Sequence, residues 1–478
     1  MRTRLLRGAY AAAIVALVVP RLHSGTALWL DETLSVDIAR LPLPDLVTAL
    51  RHDGSPPLYY FLLHVWIGLF GTGSLAVRSL SGLFSLTALP LAYAVGGRLG
   101  GPRAAAASLL TLAASPFAIR YATETRMYAL VLLLSLLGIL VGLRALARPT
   151  LPRLAALSIV AGLLALTHYW CLFLLVAAEV VLVVGAIRRR GAWTRAALAL
   201  PLGGAPFVPW VPSFLFQIRH TGAPWAPPAS VLDLGATVQA WAGRGAFHIP
   251  LLILGLAIAV FAVRVMAGRV LLLTGAGTLL LGLLSSHIQG SAYGLRYSTV
   301  ALGPALLVVG IGAAQLPRPA RWAAGSIAVL LSLAVLTTSS LLGPRTQAAE
   351  TAALLSTHVA PGDLVVYCPD QLGPAVDRLL PGSVEQVTYP TMASPALIDW
   401  TDYAARNQSA DPTTYAKTIA DETTGRIWLV RADGYLTFGD DCATLDAEFE
   451  RLRGGRTVIQ RANSLREGEW LVGYHSSR

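Results

Sequence analysis

What most constrains this chain is a repeated alternation of long apolar runs with short basic loops. Apolar runs lie near residues 76–97, 104–120, 127–147, 154–170, 171–187, 196–214, 249–263, 270–286, 297–315 and 322–342, and a further one near 8–20 brings the total to about eleven. Each is long enough, or nearly so, for a helix to cross a bilayer, which takes roughly 20 residues. Soluble domains carry about 25% charged residues. This chain carries 13%, so it reads as an integral membrane protein.

The loops set its direction. Arginines gather in every second loop: Arg98 and Arg103; Arg144, Arg148 and Arg153; Arg188, Arg189, Arg190 and Arg195; Arg264 and Arg269; Arg318 and Arg321. None of these loops holds an acid, and the positive-inside rule makes them cytoplasmic. Arg2, Arg4 and Arg7 place the N-terminus on the same side. The basic start and the apolar run to Pro20 read as a retained signal-anchor helix, with Arg7 and Arg21 snorkelling to lengthen it. An odd number of spans then exports the C-terminal region. The expected placement is a multi-pass plasma-membrane protein with a cytoplasmic N-terminus and an extracytoplasmic C-terminal domain.

Leu58–Phe70 is apolar but only 13 residues long, and as a span it would invert every later loop. It reads instead as an interfacial helix on the outer membrane face. After Gly343-Pro344 the composition changes. Residues 345–478 carry 12 basic and 18 acidic side chains, against 25 and 8 in the rest. This balance excludes a nucleic-acid-binding surface, because the positive charge belongs to membrane loops. Asp363–Cys368 and Arg426–Arg431 read as buried strands, and Thr346–His358 and Ala443–Leu452 as helices. The expected architecture is an all-α polytopic membrane domain over 1–344, with interfacial helices in its first outer loop. A small soluble α/β domain follows over 345–478. Cys368 and Cys442 can pair if that domain is exported, but the sequence leaves the pairing open. Cys171, in an apolar run, reads as packing.

Residues 1–344 hold eight carboxylates, and five of them, Asp31, Glu32, Asp37, Asp45 and Asp53, lie in the first loop. Ionisable groups are costly near a membrane and tend to mark chemistry. Asp31 and Glu32 stand in Trp29-Leu-Asp-Glu-Thr-Leu-Ser35, and His52 and Asp53 in Arg51-His-Asp-Gly-Ser-Pro-Pro57. The plainer readings are a helix cap at Asp31, for a helix beginning near Thr33, and a turn at Asp53. Glu179 lies within a span and is expected to be hydrogen-bonded between helices.

Together with His52-Asp53-Gly-Ser-Pro-Pro-Leu-Tyr59-Tyr60, Arg78, and Ser115-Pro-Phe through Tyr121-Ala-Thr-Glu124-Thr-Arg126-Met-Tyr128, the first-loop acids resemble the GT-C glycosyltransferases. The likeness is to the protein O-mannosyltransferase and lipid A aminoarabinose transferase family, and it is carried by residues 8–215. It implies an inverting transfer of a mannose- or arabinose-type sugar from a polyprenyl-phosphate carrier to an extracytoplasmic glycan, lipid or protein acceptor. In those terms Asp31 is the candidate general base, with Glu32 and Glu124 as its catalytic companions. His52, Asp53, Tyr59, Arg78, Arg126, Tyr128, His168, Tyr169, Arg296 and Tyr297 are the candidate substrate contacts. A divalent metal ion at His52 and Asp53 is the one cofactor considered. Gly54 departs from the family, which often carries Lys after this acid. Arg219, His220, Trp225 and Trp241 in the long outer loop are expected to form a lid. The alternative is a transporter or flippase of a lipid-linked substrate, which would place paired charges or broken helices near mid-membrane, often with repeated halves; here the acids crowd the outer rim, Glu179 alone is central, and the sequence shows no repeat.

Overall fold

The computed structural model describes residues 8, 12–22, 25–222, 229–289 and 293–476. The basic segment of the signal-anchor helix and Trp225 of the lid lie outside these residues. The chain divides into two compact units, and the division does not follow one cut along the sequence.

The first unit has its described residues within 1–24, 55–214 and 228–342, and it is helical. Seven helices among the described residues are long and apolar enough to cross a membrane: Ser74–Ala113, Tyr128–Ala147, Trp170–Arg189, Ala192–His220, Met266–Ile288, Leu295–Gln315 and Arg318–Thr338. Shorter apolar helices cover Ala12–Leu22, Leu58–Phe70, Leu151–Ala165 and His248–Ala262. This is a multi-pass membrane protein. The long Ser74–Ala113 element is two helices, because Gly100 and Gly101 leave helical geometry and Gly101 adopts φ +74°. Pro102 follows and cannot continue the ladder. The arms fold back on each other so closely that a Cβ on Gly96 would lie 2.5 Å from Ser108 Oγ. The core is Leu112, Phe117, Ile119, Leu132, Leu136, Leu302 and Ile311 with their neighbours. Small residues let these helices approach, as at Gly310 against Ser108 and Gly312 against Ile258.

Two residues within the apolar unit differ from expectation. Arg21 does not snorkel; its guanidinium turns inward, donating to Ser85 Oγ at 2.8 Å and to the carbonyls of Leu112 and Ala113 at 2.8 and 2.9 Å. Those carbonyls lie in the last turn of a helix, where intrahelical donors run out, so the arginine does more by capping them than by reaching outward. Glu179 Oε2 is buried without a hydrogen-bond partner among the described residues.

The second unit has its described residues within 25–54, 215–227 and 343–478. Five strands, β1 (Leu364–Cys368), β2 (Glu385–Thr388), β3 (Ile427–Arg431), β4 (Thr457–Gln460) and β5 (Trp470–Tyr474), form one sheet in the order β2-β1-β3-β5-β4. β1 runs parallel to β2 and β3 in the register Leu364↔Glu385 and Leu364↔Ile427, and β5 is antiparallel to β3 and β4. β1 and β3 are buried almost throughout, as continuous Val/Ile/Leu strands covered on both faces should be. The anticipated strands and helices are present, the helices as Ala348–His358 and Asp441–Arg453. Cys368 and Cys442 form a disulfide that ties β1 to the second helix.

One face of this sheet is packed by the first-loop helix Leu30–Arg40. Leu30 and Leu34 join a core with Leu364, Val366, Cys368, Tyr389, Leu429 and Val472. Burying each leucine stabilises by roughly 1.5–3 kcal/mol. The helix Leu43–Asp53 follows and ends at Gly54, whose φ of +87° closes it in a left-handed cap.

Candidate active site

In the second unit, the Asp31 helix begins at Leu30, not near Thr33. Trp29 holds the N-cap position and no side chain caps the helix. Asp31 and Glu32 lie in its first turn, where the helix dipole favours negative charge. The capping reading of Asp31 is thereby replaced. Asp31 is 8% exposed and Glu32 wholly buried. Glu32 Oε2 is 3.4 Å from Arg345 Nη1. Glu467 Oε2 accepts the Leu30 N–H at 3.4 Å, and burial, with Asp31's charge adding, pushes Glu467 up to about 7. The same helix carries Asp37, pushed up to about 6 by burial despite Arg378 and Arg40 nearby.

His52, at the end of the next helix, pairs with the C-terminal region. Its Nδ1 lies 3.1 Å from Asp399 Oδ1, and the Trp400 N–H donates to its carbonyl at 3.2 Å. His220 makes a parallel pair, 3.1 Å from Asp402 Oδ1. Among the described residues no group of three or more His, Cys, Asp or Glu is gathered that could hold a metal, and Asp53 is half-buried. Gly54 explains the departure from the family's lysine. A side chain there would need a left-handed backbone, and its Cβ would lie 2.8 Å from Thr221 Oγ1.

In the first unit a second group of candidates converges. Ser115 caps the helix Pro116–Ala122, its Oγ accepting the Ala118 N–H at 3.2 Å. The chain then turns through Thr123–Met127. Arg120 Nη1 is 2.5 Å from Glu124 Oε2, an ion pair at the helix end. Arg126 instead donates to Tyr60 OH at 3.2 Å, and its carbonyl accepts from Ser81 Oγ at 3.3 Å. Tyr59 OH is 3.4 Å from the same Ser81 Oγ. Arg78, Glu124 and Tyr128 are all buried.

His168 is the centre of this group. Its ring lies 6.0 Å from Tyr128 and 5.0 Å from Tyr297. Its Nδ1 accepts the Trp170 N–H at 3.1 Å, which leaves Nε2 as the donor of a neutral ring. Burial first, and then the charges of Arg126 and Arg296, drive its pKa down to about 3. The imidazole is therefore neutral at any physiological pH, beside two cations. Arg296 stacks over Tyr297 at 5.7 Å. Tyr293 OH accepts from Thr237 Oγ1 at 3.1 Å, and Trp241 Nε1 donates to Ser298 Oγ at 2.9 Å. Through these bonds the helix Leu232–Trp241 is tied to the Arg296 turn.

Tyr169 goes elsewhere. Its hydroxyl accepts from Trp210 Nε1 at 2.9 Å, and its ring packs on Phe207 and Phe214. Trp170, not Tyr169, lies against Tyr297 and Tyr293, because successive residues at a helix start point about 100° apart. Sequence reasoning missed Arg345, Glu467 and Glu469. The one available signal was that Glu467 and Glu469 sit at a turn and the start of a strand, where a buried acid is unusual.

Residues 54–218 match the family model described as dolichyl-phosphate-mannose-protein mannosyltransferase. No curated protein matches the chain at the sequence level. Among solved structures, ArnT from Cupriavidus metallidurans bound to undecaprenyl phosphate is similar at 16% identity and a TM-score of 0.64, covering 99% of this chain and 98% of that one. The mycobacterial arabinofuranosyltransferase AftD is similar at 16% identity and a TM-score of 0.53; the match covers 99% of this chain and 42% of AftD. The oligosaccharyltransferase of Archaeoglobus fulgidus, in complex with zinc and sulfate, is similar at 12% identity and a TM-score of 0.50, covering 87% of this chain and 67% of that one. The resemblance to GT-C glycosyltransferases carried by the first-loop residues is matched by the family model over 54–218 and by the fold over the whole chain.

Proposed function

We propose that this protein is an inverting membrane glycosyltransferase that moves a mannose- or arabinose-type sugar from a polyprenyl-phosphate carrier to an extracytoplasmic envelope glycan, lipoglycan or protein. The observation that carries the reading is the His168 group: two arginines and a neutral imidazole whose Nε2 is a donor, framed by Tyr128 and Tyr297. Such a set binds a phosphate through charge-assisted hydrogen bonds and offers an aromatic wall to a sugar. The likeness to an ArnT structure that holds undecaprenyl phosphate supports the same ligand class.

In the reaction, Asp31 takes the proton of an acceptor hydroxyl as that oxygen attacks the anomeric carbon. The new oxygen–carbon bond forms as the bond from the anomeric carbon to the phosphate oxygen breaks. Its electron pair leaves with the polyprenyl phosphate, and the configuration inverts. Arg126 and Arg296 stabilise the charge that develops on the leaving phosphate, and His168 adds a neutral donor. Glu32, paired with Arg345, and Glu124, paired with Arg120, hold shape rather than move protons. Zinc appears with the archaeal relative, but His52 is engaged by Asp399 here, and no step is routed through a metal.

The test uses purified full-length protein, undecaprenyl phosphate as the binding probe, and a panel of undecaprenyl-phosphate-linked sugars as donors. Arg296→Ala should weaken undecaprenyl phosphate binding by about tenfold or more. Asp31→Asn should retain that binding while turnover falls about 100-fold. Undiminished binding in both Arg126→Ala and Arg296→Ala would sink the reading of the His168 group.

A further inference from the structure

The Asp31–Glu32 pair is held by two residues more than 300 positions away, and all four belong to the second unit. Arg345 and Glu467 are themselves locked together by backbone: the Glu467 N–H donates to the Arg345 carbonyl at 2.8 Å, and the Gln347 N–H donates to the Glu467 carbonyl at 3.0 Å. From that rail Arg345 reaches Glu32 at 3.4 Å, both side chains almost wholly buried. Glu467 reaches the backbone N–H of Leu30, immediately before Asp31. Gln347 reinforces the rail, its Oε1 accepting the N–H groups of Asn463 at 2.6 Å and Glu469 at 3.1 Å.

We propose that Arg345 and Glu467 are positioning residues for Asp31. Arg345 neutralises Glu32, the immediate neighbour of Asp31, and Glu467 anchors the Leu30 N–H that precedes it. Glu467, by holding or releasing its own proton, sets the charge beside which Asp31 must accept one. The inference rests on the reading of Asp31 as the base.

The surroundings of Glu467 support this role. It faces Asp31, the Thr346 hydroxyl and the Leu30 N–H, with Glu469 nearby. Glu469 accepts from Thr346 Oγ1 at 3.3 Å and Thr351 Oγ1 at 2.5 Å, and Tyr435 is pushed up by burial with Glu467, Glu469 and Asp370 adding. Burial holds Glu467 protonated below about pH 7. Once it ionises, the charge beside the Leu30 N–H at the start of the Asp31 helix changes, so turnover should change through neutral pH.

The experiment is the pH profile of transfer from the undecaprenyl-phosphate-linked sugar panel by the full chain. The intact protein should show an inflection near pH 7. Glu467→Gln keeps an acceptor for Leu30 but cannot titrate, so the inflection should vanish while undecaprenyl phosphate binding stays. Arg345→Ala should lower kcat about tenfold or more, since it removes a cation beside the buried Glu32 carboxylate, and Arg345→Lys should restore most of it. An unchanged inflection in Glu467→Gln, or Lys no better than Ala at 345, overturns the proposal. Near-normal turnover in Asp31→Asn is a separate outcome that overturns the base assignment beneath it. If Glu467→Gln fails to fold, Glu467→Asp serves instead: its shorter carboxyl titrates but withdraws from Leu30, and an inflection that does not move counts against the proposal.

Discussion

Gly54 gives the sharpest quantitative test of the site's architecture, because two separate costs meet at one position. Gly54→Ala imposes a Cβ on a residue at φ +87°, where an L side chain costs roughly 1–2 kcal/mol. The new Cβ would also lie 2.8 Å from Thr221 Oγ1 and 3.3 Å from Thr221 Cβ. Thr221 cannot turn aside freely, since its hydroxyl donates to the Gln217 carbonyl at 3.0 Å and its side chain is buried. Moving it forfeits about 0.5–1.5 kcal/mol of hydrogen bond. The total is about 1.5–3.5 kcal/mol, on the order of 3–14 °C in Tm for a unit of this size. Thermal unfolding of the full chain in detergent reads the loss. Thr221→Ala removes the oxygen and isolates the second cost. In that background Gly54→Ala should cost the backbone term and the 3.3 Å approach to the remaining Cβ but no longer the clash with the hydroxyl, so the pair should show a coupling of about 0.5 kcal/mol or more. Gly54→Lys, which places there the residue the resembling family often carries, should destabilise at least as much. If Gly54→Ala leaves Tm within a degree, or the two substitutions are simply additive, the steric account of the missing lysine is wrong.

Other outcomes are as definite. Burial lifts Glu469 to about 8, with Glu467 and Glu350 adding. The folded state therefore holds a proton that the unfolded state has released between about pH 4.5 and 8, and stability falls as pH rises through that window. Glu469→Gln should flatten this slope in Tm measured from pH 5 to pH 9. Asp446 is buried, which raises its pKa, yet Arg456, Tyr474 and Arg431 outweigh burial and hold it below the usual range. Asp446→Ala removes the carboxylate that Arg431, Arg456 and Tyr474 all bond, although Arg431 keeps Asp433 and Arg456 keeps Glu450, and should cost about 1–3 kcal/mol, read as lost protease resistance of the C-terminal region. Cysteines placed at Ser230 and Ala410 should react with a membrane-impermeant thiol reagent applied from outside, whereas one at Gly191 should not; labelling at 191 in sealed cells would overturn the proposed orientation.

The apolar runs by themselves determined the helical unit, since a run with no polar face can only be buried in a bilayer or a core, and helices satisfy their backbone within the run. Asp363–Cys368 and Arg426–Arg431 were likewise legible as strands, because their continuous Val/Ile/Leu character is what a two-sided parallel sheet requires. The concentration of acids in the first loop pointed to Asp31, and the spacing around Glu124 and Arg126 pointed to the second candidate group. Neither signal told what those side chains touch. Only the tertiary structure decided that the Leu30–Arg40 helix shares a core with the C-terminal sheet, since Leu30 and Leu34 read locally as any amphipathic face would. Arg345 with Glu32 and Glu467 with Leu30 join residues separated by more than 300 positions. Contacts of that kind leave no local period or motif; they follow from which buried faces and charges complement one another once the chain has closed on itself.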